Sequence, residues 1–353
     1  MSESELKIQN HQHLLKLNAP DHDQLNALLQ REDDYLNLTS CVPKDELYSS
    51  CQGKAKWRPK IFEWFYKIID HFGFDRDIVA VGMDLLDRFQ VLCAEEIDGE
   101  MYQRAAMTCL LISIKISCGA DSTSGPISER QTLDLHEYAS LSRGQFSVQD
   151  LIEMELHVFE TLQWRVNPVI PTNFLCHILS LVPNDPTCNL QFVLTVIYEV
   201  ARYLIEVCII SSDISFYFNF DTDPAAKYKV RPSTICLSAV LISMELVSEQ
   251  IINQEMRKVF SSRVTEELQF YPEEIQLNRR LILDSLIPTN MLDGNLTDEI
   301  VLSEIQKLHP IAIFEHAGVL NENSKLSFVK TIRKHRNSRK RKHPLSPTSI
   351  SEV

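Results

Sequence analysis

Apolar residues recur along most of this chain at intervals of three and four, the period of one helix face, and strand-like alternation is hard to find. DQLNALLQREDDYL, residues 23–36, predicts a short helix with Asp23 as cap and Leu25, Leu28 and Leu29 on one face. KWRPKIFEWFYKIIDHFGF, residues 56–74, predicts a second helix. Its proline falls in the first turn, where a missing N–H costs little, and it ends near Gly73. A third starts near Asp75 and carries Ile78, Val81, Leu85, Leu86 and Phe89. EMYQRAAMTCLLISIKI, residues 100–116, is apolar almost all round past Arg104, the mark of a buried central helix.

GADSTSGPISE reads as a loop, and RQTLDLHEYASL as the next helix. FSVQDLIEMELHVFETL follows, with Ser147 and Asp150 at capping-box spacing. Asn167-Pro168 and Pro171 form a linker. The second half repeats the rhythm. PTNFLCHILSLV has Thr172 as its cap, NLQFVLTVIYEVARYLIEVC is followed by a long loop, and RPSTICLSAVLISMELVSE is again almost wholly apolar. Two shorter helices end near Ile287, and one modest helix lies near 297–308. Cys109–Lys115 can be laid on Ala239–Glu245, so a lysine in one half faces a glutamate in the other. The expected class is all-α, with about five helices per half. The expected domains are a disordered N-terminus over 1–22, helical domains over 23–166 and 167–290, and an extension over 291–353.

Composition narrows the class. Hydrophobic residues make up 44% of the 353, enough for packed cores, while only 9 glycines argue against Gly-rich phosphate loops. The 9 cysteines show no Cys-x-x-Cys spacing, so a reducing compartment is expected, without a disulfide framework or a zinc site. The N-terminus has no basic region followed by an apolar run, and no apolar run of 18 residues is free of charges, so neither a signal peptide nor a membrane span is expected. The net charge is −13, yet residues 330–353 hold eight Lys or Arg against one Glu, leaving about −20 on the rest. An acidic body of this kind repels nucleic-acid phosphates.

Two charges stand in apolar surroundings. Glu155 lies in the stripe Leu151, Glu155, Val158, Leu162, and Lys115 ends the central helix. Neither is buried without a partner. Either Lys115 snorkels to solvent and Glu155 sits at the stripe's edge, or both lie on a surface covered by another chain. Asp87 pairs with a nearby arginine, for which Arg58 is the candidate. No GxGxxG, Walker, HExxH or GxSxG motif occurs, and the histidines are scattered, so no catalytic residue and no cofactor is expected.

With these segments in order, residues 24 to 290 resemble a cyclin. QLNALLQREDDYL resembles the helix before the first cyclin box in its D-type form. WRPKIFEW resembles the MRAIL-x-x-W helix, and GMDLLDRF the Asn-Tyr-Leu-Asp-Arg-Phe segment. YQRAAMTCLLISIK, DLIEMELHVFETLQWRVNPVIPTNFL and RPSTICLSAVLISM resemble later helices of the two boxes, closest to the D-type, G1 group. The resemblance implies two tandem five-helix boxes and a regulatory, non-enzymatic subunit of a cyclin-dependent Ser/Thr kinase in G1/S control. By motif, Lys115 and Glu155 contact the kinase αC region, and Arg58–Asp87 is an internal pair. A transcriptional cyclin, or a transcription-factor-IIB-like scaffold, is the alternative.

The family's shallow docking patch for Arg-x-Leu peptides of substrates or inhibitors maps onto Trp57, Ile61, Trp64 and Gln103. The same aromatics also fit a hydrophobic staple, with Arg58 as cap and Trp57 packed on Phe62, and a core role for Trp64. Lys60 replaces the family's Ile, and Lys67 stands where several cyclins have the glutamate that receives the ligand's arginine. A modified patch that binds such peptides weakly is therefore expected. Arg333, Lys334 and Arg336 with Arg339, Lys340, Arg341 and Lys342 have the spacing of a nuclear import signal, and Ser346-Pro347 is a candidate proline-directed phosphosite beside it. The expected location is the nucleus, with shuttling to the cytoplasm.

Overall fold

The structure, a computed structural model, describes residues 21–39, 57–120, 133–183, 190–210, 230–247 and 251–286. Among them every regular element is helical. The described residues divide into two compact units, those within 22–174 and 205–235, and those within 175–204 and 236–286 together with Asp21.

The first unit opens with α1, His22–Thr39. Asp23 is in its first turn rather than capping it, because the helix starts at His22, two residues earlier than a cap at Asp23 implies. Leu25 is buried, Leu28 and Leu29 only half-buried, and the same face carries the fully buried Glu32. Helix α2, Arg58–Phe72, has the expected Pro59 in its first turn, and Gly73 (φ 69°) ends it in the left-handed conformation that lacks of a Cβ makes easy. Trp57 is the N-cap and makes no side-chain cap bond, so a staple with Arg58 as cap is not formed.

Helices α3, Asp77–Leu92, and α4, Gly99–Ala120, follow. From Ala105 to Ile114 every α4 side chain is buried, as its all-round apolar sequence requires, and α4 packs against α2, α3 and the later α6. The fourth helix, α5, is shorter than its apolar pattern, Leu135–Ser140, because Asp134 accepts from the His136 N–H and fixes the start there. In α6, Val148–Thr161, the Ser147–Asp150 box is closed in both directions. A 3₁₀ turn, Pro171–Phe174, ends this segment. Thr172 does not cap it, since its Oγ1 is buried without a hydrogen bond; Asn173 Oδ1 separately accepts from the Ile170 N–H at 2.9 Å.

Helices α7, Leu175–Ser180, α8, Leu190–Ile210, α9, Pro232–Leu246, α10, Gln254–Leu268, and α11, Pro272–Leu286, complete the described chain. In the second unit the α9 side chains from Cys236 on are buried except Leu241 and Glu245. Asn253 caps α10, and Arg257 ties the α10 start to the carbonyls of Met244, Val247 and Ile252 at 2.8–3.1 Å.

Candidate functional site

Lys115 stands at the end of the buried run of α4, where the helix emerges into solvent, and Glu155 stands about two turns into α6. The packing of α4 on α6 brings them together. Lys115 Nζ lies 2.6 Å and 2.8 Å from the two carboxylate oxygens of Glu155. The lysine side chain is half exposed, whereas the glutamate is mostly covered. A pair as open as this contributes at most about 1 kcal/mol to folding.

The surroundings of Glu155 carry the larger signal. Leu151 and Val158 are fully buried, so they turn the next face of α6 outward. That face holds Ile152 and Leu156, 44% and 52% exposed. Three residues past the end of α6, Trp164, 67% exposed, stacks on Phe159 with ring centroids 4.9 Å apart. Large apolar groups exposed side by side mark a surface that another molecule covers. The sequence pattern carries a trace of this face, because Ile152 and Leu156 stand i, i+4 apart and just off the buried stripe.

The second unit supplies an internal comparison. Ser113 Oγ donates to the Cys109 carbonyl and Ser243 Oγ to the Ala239 carbonyl, both at 2.8 Å, which supports the register of the two apolar helices. Glu245, the counterpart of Lys115, pairs with Arg279 on α11 at 2.6 Å. In the register that matches Arg279 to Glu155, Ile152 and Leu156 correspond to Gln276 and Arg280. The frame recurs with its charges reversed and its apolar face replaced by polar groups.

Arg58 and Asp87 form the expected pair. Arg58 Nε and Nη2 reach the two Asp87 oxygens at 3.1 Å and 2.9 Å, and Nη1 donates to the Ile209 carbonyl at 2.7 Å. Burial alone lowers the guanidinium pKa, but the charge and hydrogen bonds of Asp87 outweigh it and hold the pKa above the usual value. A second buried pair escaped the sequence reading. Asp84 Oδ2 lies 2.7 Å from Arg88 Nε with both side chains covered, and burial pushes the Asp84 carboxyl up to about 6 against the pull of Arg88. Arg88 also donates to the Arg165 carbonyl at 2.8 Å and lies under the Tyr35 ring, 5.2 Å from its centre.

On α2, Trp57, Ile61 and Trp64 are half-buried at i, i+4 and i+7, and Gln103 on α4 is exposed. Trp57 meets α4 through Tyr102, 5.4 Å between ring centres, so this surface is at once packing and rim. Lys60 is exposed, and Lys67 pairs with Glu63 at 2.7 Å in solvent. The basic cluster at 333–342 and Ser346 lie outside the described residues. Among the described residues, six cysteines are free thiols and no group of three metal-ligating side chains gathers.

Residues 24–167 match the family model for the cyclin N-terminal domain. Cyclin-D3-3 of Arabidopsis thaliana is 27% identical over 160 residues, 45% of this chain and 39% of that protein. G1/S-specific cyclin-E1 of Danio rerio is 23% identical over 52% of this chain and 42% of that protein. Human G1/S-specific cyclin-D1 is 22% identical over 55% of this chain and 58% of that protein. The chain thus spans only two fifths to three fifths of the length of these relatives. The crystal structure of a viral cyclin from herpesvirus saimiri aligns with a TM-score of 0.49 at 20% identity, over 74% of this chain and 95% of that one.

Proposed function

We propose that this chain, whose residues 24–167 form a cyclin N-terminal domain, is the activating subunit of a cyclin-dependent Ser/Thr kinase in G1/S control. The observation that carries the reading is the face of α6, where the Lys115–Glu155 pair lies beside exposed Ile152 and Leu156. The polar counterpart in the second unit, Gln276 and Arg280, argues that the apolar face is a property of the first unit and not a by-product of the helical frame.

The mechanism is mechanical. A kinase of this class is active when its αC helix is held inward, so that the Lys–Glu pair and the activation loop take their active arrangement. Helices α4 and α6 offer a rigid face for that purpose, because both are anchored by buried side chains on the side away from it. Ile152 and Leu156 supply apolar contact, and the Lys115–Glu155 pair supplies polar groups already held in one geometry. Preorganised groups lose little freedom on binding.

The D-type and G1 assignment draws on the motif resemblance and on the cyclin-D names among the relatives, alongside cyclin-E and cyclin-B names. Two tandem five-helix boxes, a modified docking patch on α2 and nuclear import through the 333–342 cluster belong to the same reading. Co-expression with candidate cyclin-dependent kinases tests it. A stable complex with histone-kinase activity is expected, and a full-length chain that recovers and activates no such kinase refutes it.

A further inference from the structure

Cys93 and His157 are 64 residues apart in the chain and meet where α3 ends against α6. Cys93 Sγ lies 3.7 Å from His157 Nε2, within hydrogen-bonding reach for sulfur. Both groups are held. Cys93 ends α3, and its N–H donates to the Phe89 carbonyl at 2.9 Å. The His157 ring packs edge-to-face with the ring of Phe89, 5.3 Å between centres, and Phe89 has no exposed surface. A nucleophile, a base within its reach and a group that orients the base therefore stand together. The pair is also accessible. Cys93 and His157 are half-buried, and exposed Leu92 and Ala94 flank the cysteine. The core cysteines differ. Cys109 and Cys208 are covered, and burial pushes their thiols well above the usual range, which leaves them inert.

We propose that Cys93 is a site of reversible oxidation by hydroperoxides, with His157 as the general base that activates it. With the imidazole proton on Nδ1, Nε2 accepts the proton of the thiol. The thiolate sulfur attacks one peroxide oxygen, so that an S–O bond forms and the O–O bond breaks. The departing oxygen takes the proton back from His157 Nε2 and leaves as water or an alcohol. Sulfur is oxidised by two electrons to the sulfenic acid, and the peroxide is reduced by the same two. Two small thiols reverse the step, leaving as a disulfide with one water. A packing role alone asks for neither a polar partner nor access to solvent, and Cys93 has both. The inference does not depend on the kinase reading, since neither side chain carries it.

The test uses the full chain, reduced, with hydrogen peroxide as oxidant and dimedone to trap the sulfenic acid, read site by site in peptide mass spectra. Cys176 is the internal reference, because it is exposed where Cys93 is half-buried. If access alone governed the reaction, Cys176 would be labelled first. Cys93 is expected to be labelled about tenfold faster than Cys176. His157→Gln keeps a polar group beside the sulfur but cannot take its proton at neutral pH. It is expected to slow the labelling of Cys93 about tenfold, with Cys176 and the melting temperature unchanged. Labelling of Cys93 no faster than Cys176, or a Cys93 rate that His157→Gln leaves unchanged, overturns the proposal. If His157→Gln does not fold, His157→Asn takes its place, and the comparison of the two cysteines in the unmodified chain needs no variant at all. Dithiothreitol added after the peroxide and before dimedone is expected to abolish the label and return the unmodified mass. A Cys93 peptide that keeps its added oxygen overturns the reversibility.

Discussion

The guanidinium of Arg58 joins Asp87 at 2.9 Å and the Ile209 carbonyl at 2.7 Å, so one side chain ties α2 to α3 and to the last turn of α8. The bond to Ile209 places a cation at a helix C-terminus, where the helix dipole favours it. Arg58→Ala leaves the Asp87 carboxylate covered and unpaired, and is expected to destabilise the fold by about 3–5 kcal/mol. Asp87→Ala is expected to cost less, because Arg58 keeps its carbonyl partner. Urea denaturation of the two variants checks the order.

Gly82 is the close-approach point of α3 against α2. A Cβ there would lie 2.9 Å from Phe65 Cε2, on a ring with no exposed surface. The ring cannot swing away without displacing the core. Gly82→Ala gains helix propensity but is expected to lose about 1–3 kcal/mol net to overpacking. Gly99→Ala, which meets only the Trp57 ring at 3.6 Å, is the control expected to stay near neutral in thermal melts.

Much of this was legible where a residue's chemistry acts locally. Pro59 and Gly73 bracket α2, and Ser147 with Asp150 opens α6, because each needs only its own chain neighbours. Lys115 and Glu155 were legible as misfits, charges inside apolar patterns that had to find partners. The Asp84–Arg88 pair was not. At i, i+4 it has the spacing of an ordinary surface pair, and only the packing of the unit buries it. Thr172 makes no cap bond because the packing of the unit buries its hydroxyl, which local spacing does not foretell. Trp164 follows a helix end in a way that normally asks for glycine, and the carbonyl bond that stabilises the turn comes from 77 residues away.

The α6 face separates binding from folding. Leu156→Asp places a charge on an already exposed site, so stability is expected to change by less than about 0.5 kcal/mol. Kinase affinity is expected to drop by more than about tenfold, since a buried unpaired carboxylate opposes assembly. Lys115→Ala with Glu155→Ala is expected to weaken binding in the same direction without unfolding the chain. Gln276→Asp, at the matching position of the second unit, is expected to leave affinity unchanged. Titration calorimetry of wild type and the three variants against one kinase reads the affinities, and urea denaturation of the same proteins reads the stabilities.

Asp84 sets an unusual pH dependence. Its carboxyl titrates near 6 in the fold, above the ordinary carboxylate range, so between about pH 4 and 6 the folded chain holds the proton more tightly than the unfolded chain. Folded stability from this group therefore rises as pH falls through that window, opposite to a salt-bridged surface carboxylate. Burial raises the pKa of Glu32 as well, against the pull of Arg231, and its contribution has the same sign. Asp84→Asn removes the titration. The stability difference between wild type and Asp84→Asn is expected to shift toward wild type by about 1–3 kcal/mol on going from pH 7 to pH 4. A difference that is flat across that range is the contrary result.

The α2 surface tests docking. Glu63 is the acidic group beside Trp64, and Lys67 neutralises it through a bond of 2.7 Å, while Lys60 adds a second exposed cation. An incoming Arg-x-Leu peptide meets like charge where it needs a carboxylate. Such a peptide is expected to bind only weakly in fluorescence polarisation. Lys67→Glu removes one cation, releases Glu63 and restores the acidic pocket, so affinity is expected to rise by about tenfold, and adding Trp64→Ala is expected to abolish the gain. Tight binding to the unmodified chain would mean that the two lysines lie outside the peptide's path and that the docking groove runs along another face of α2.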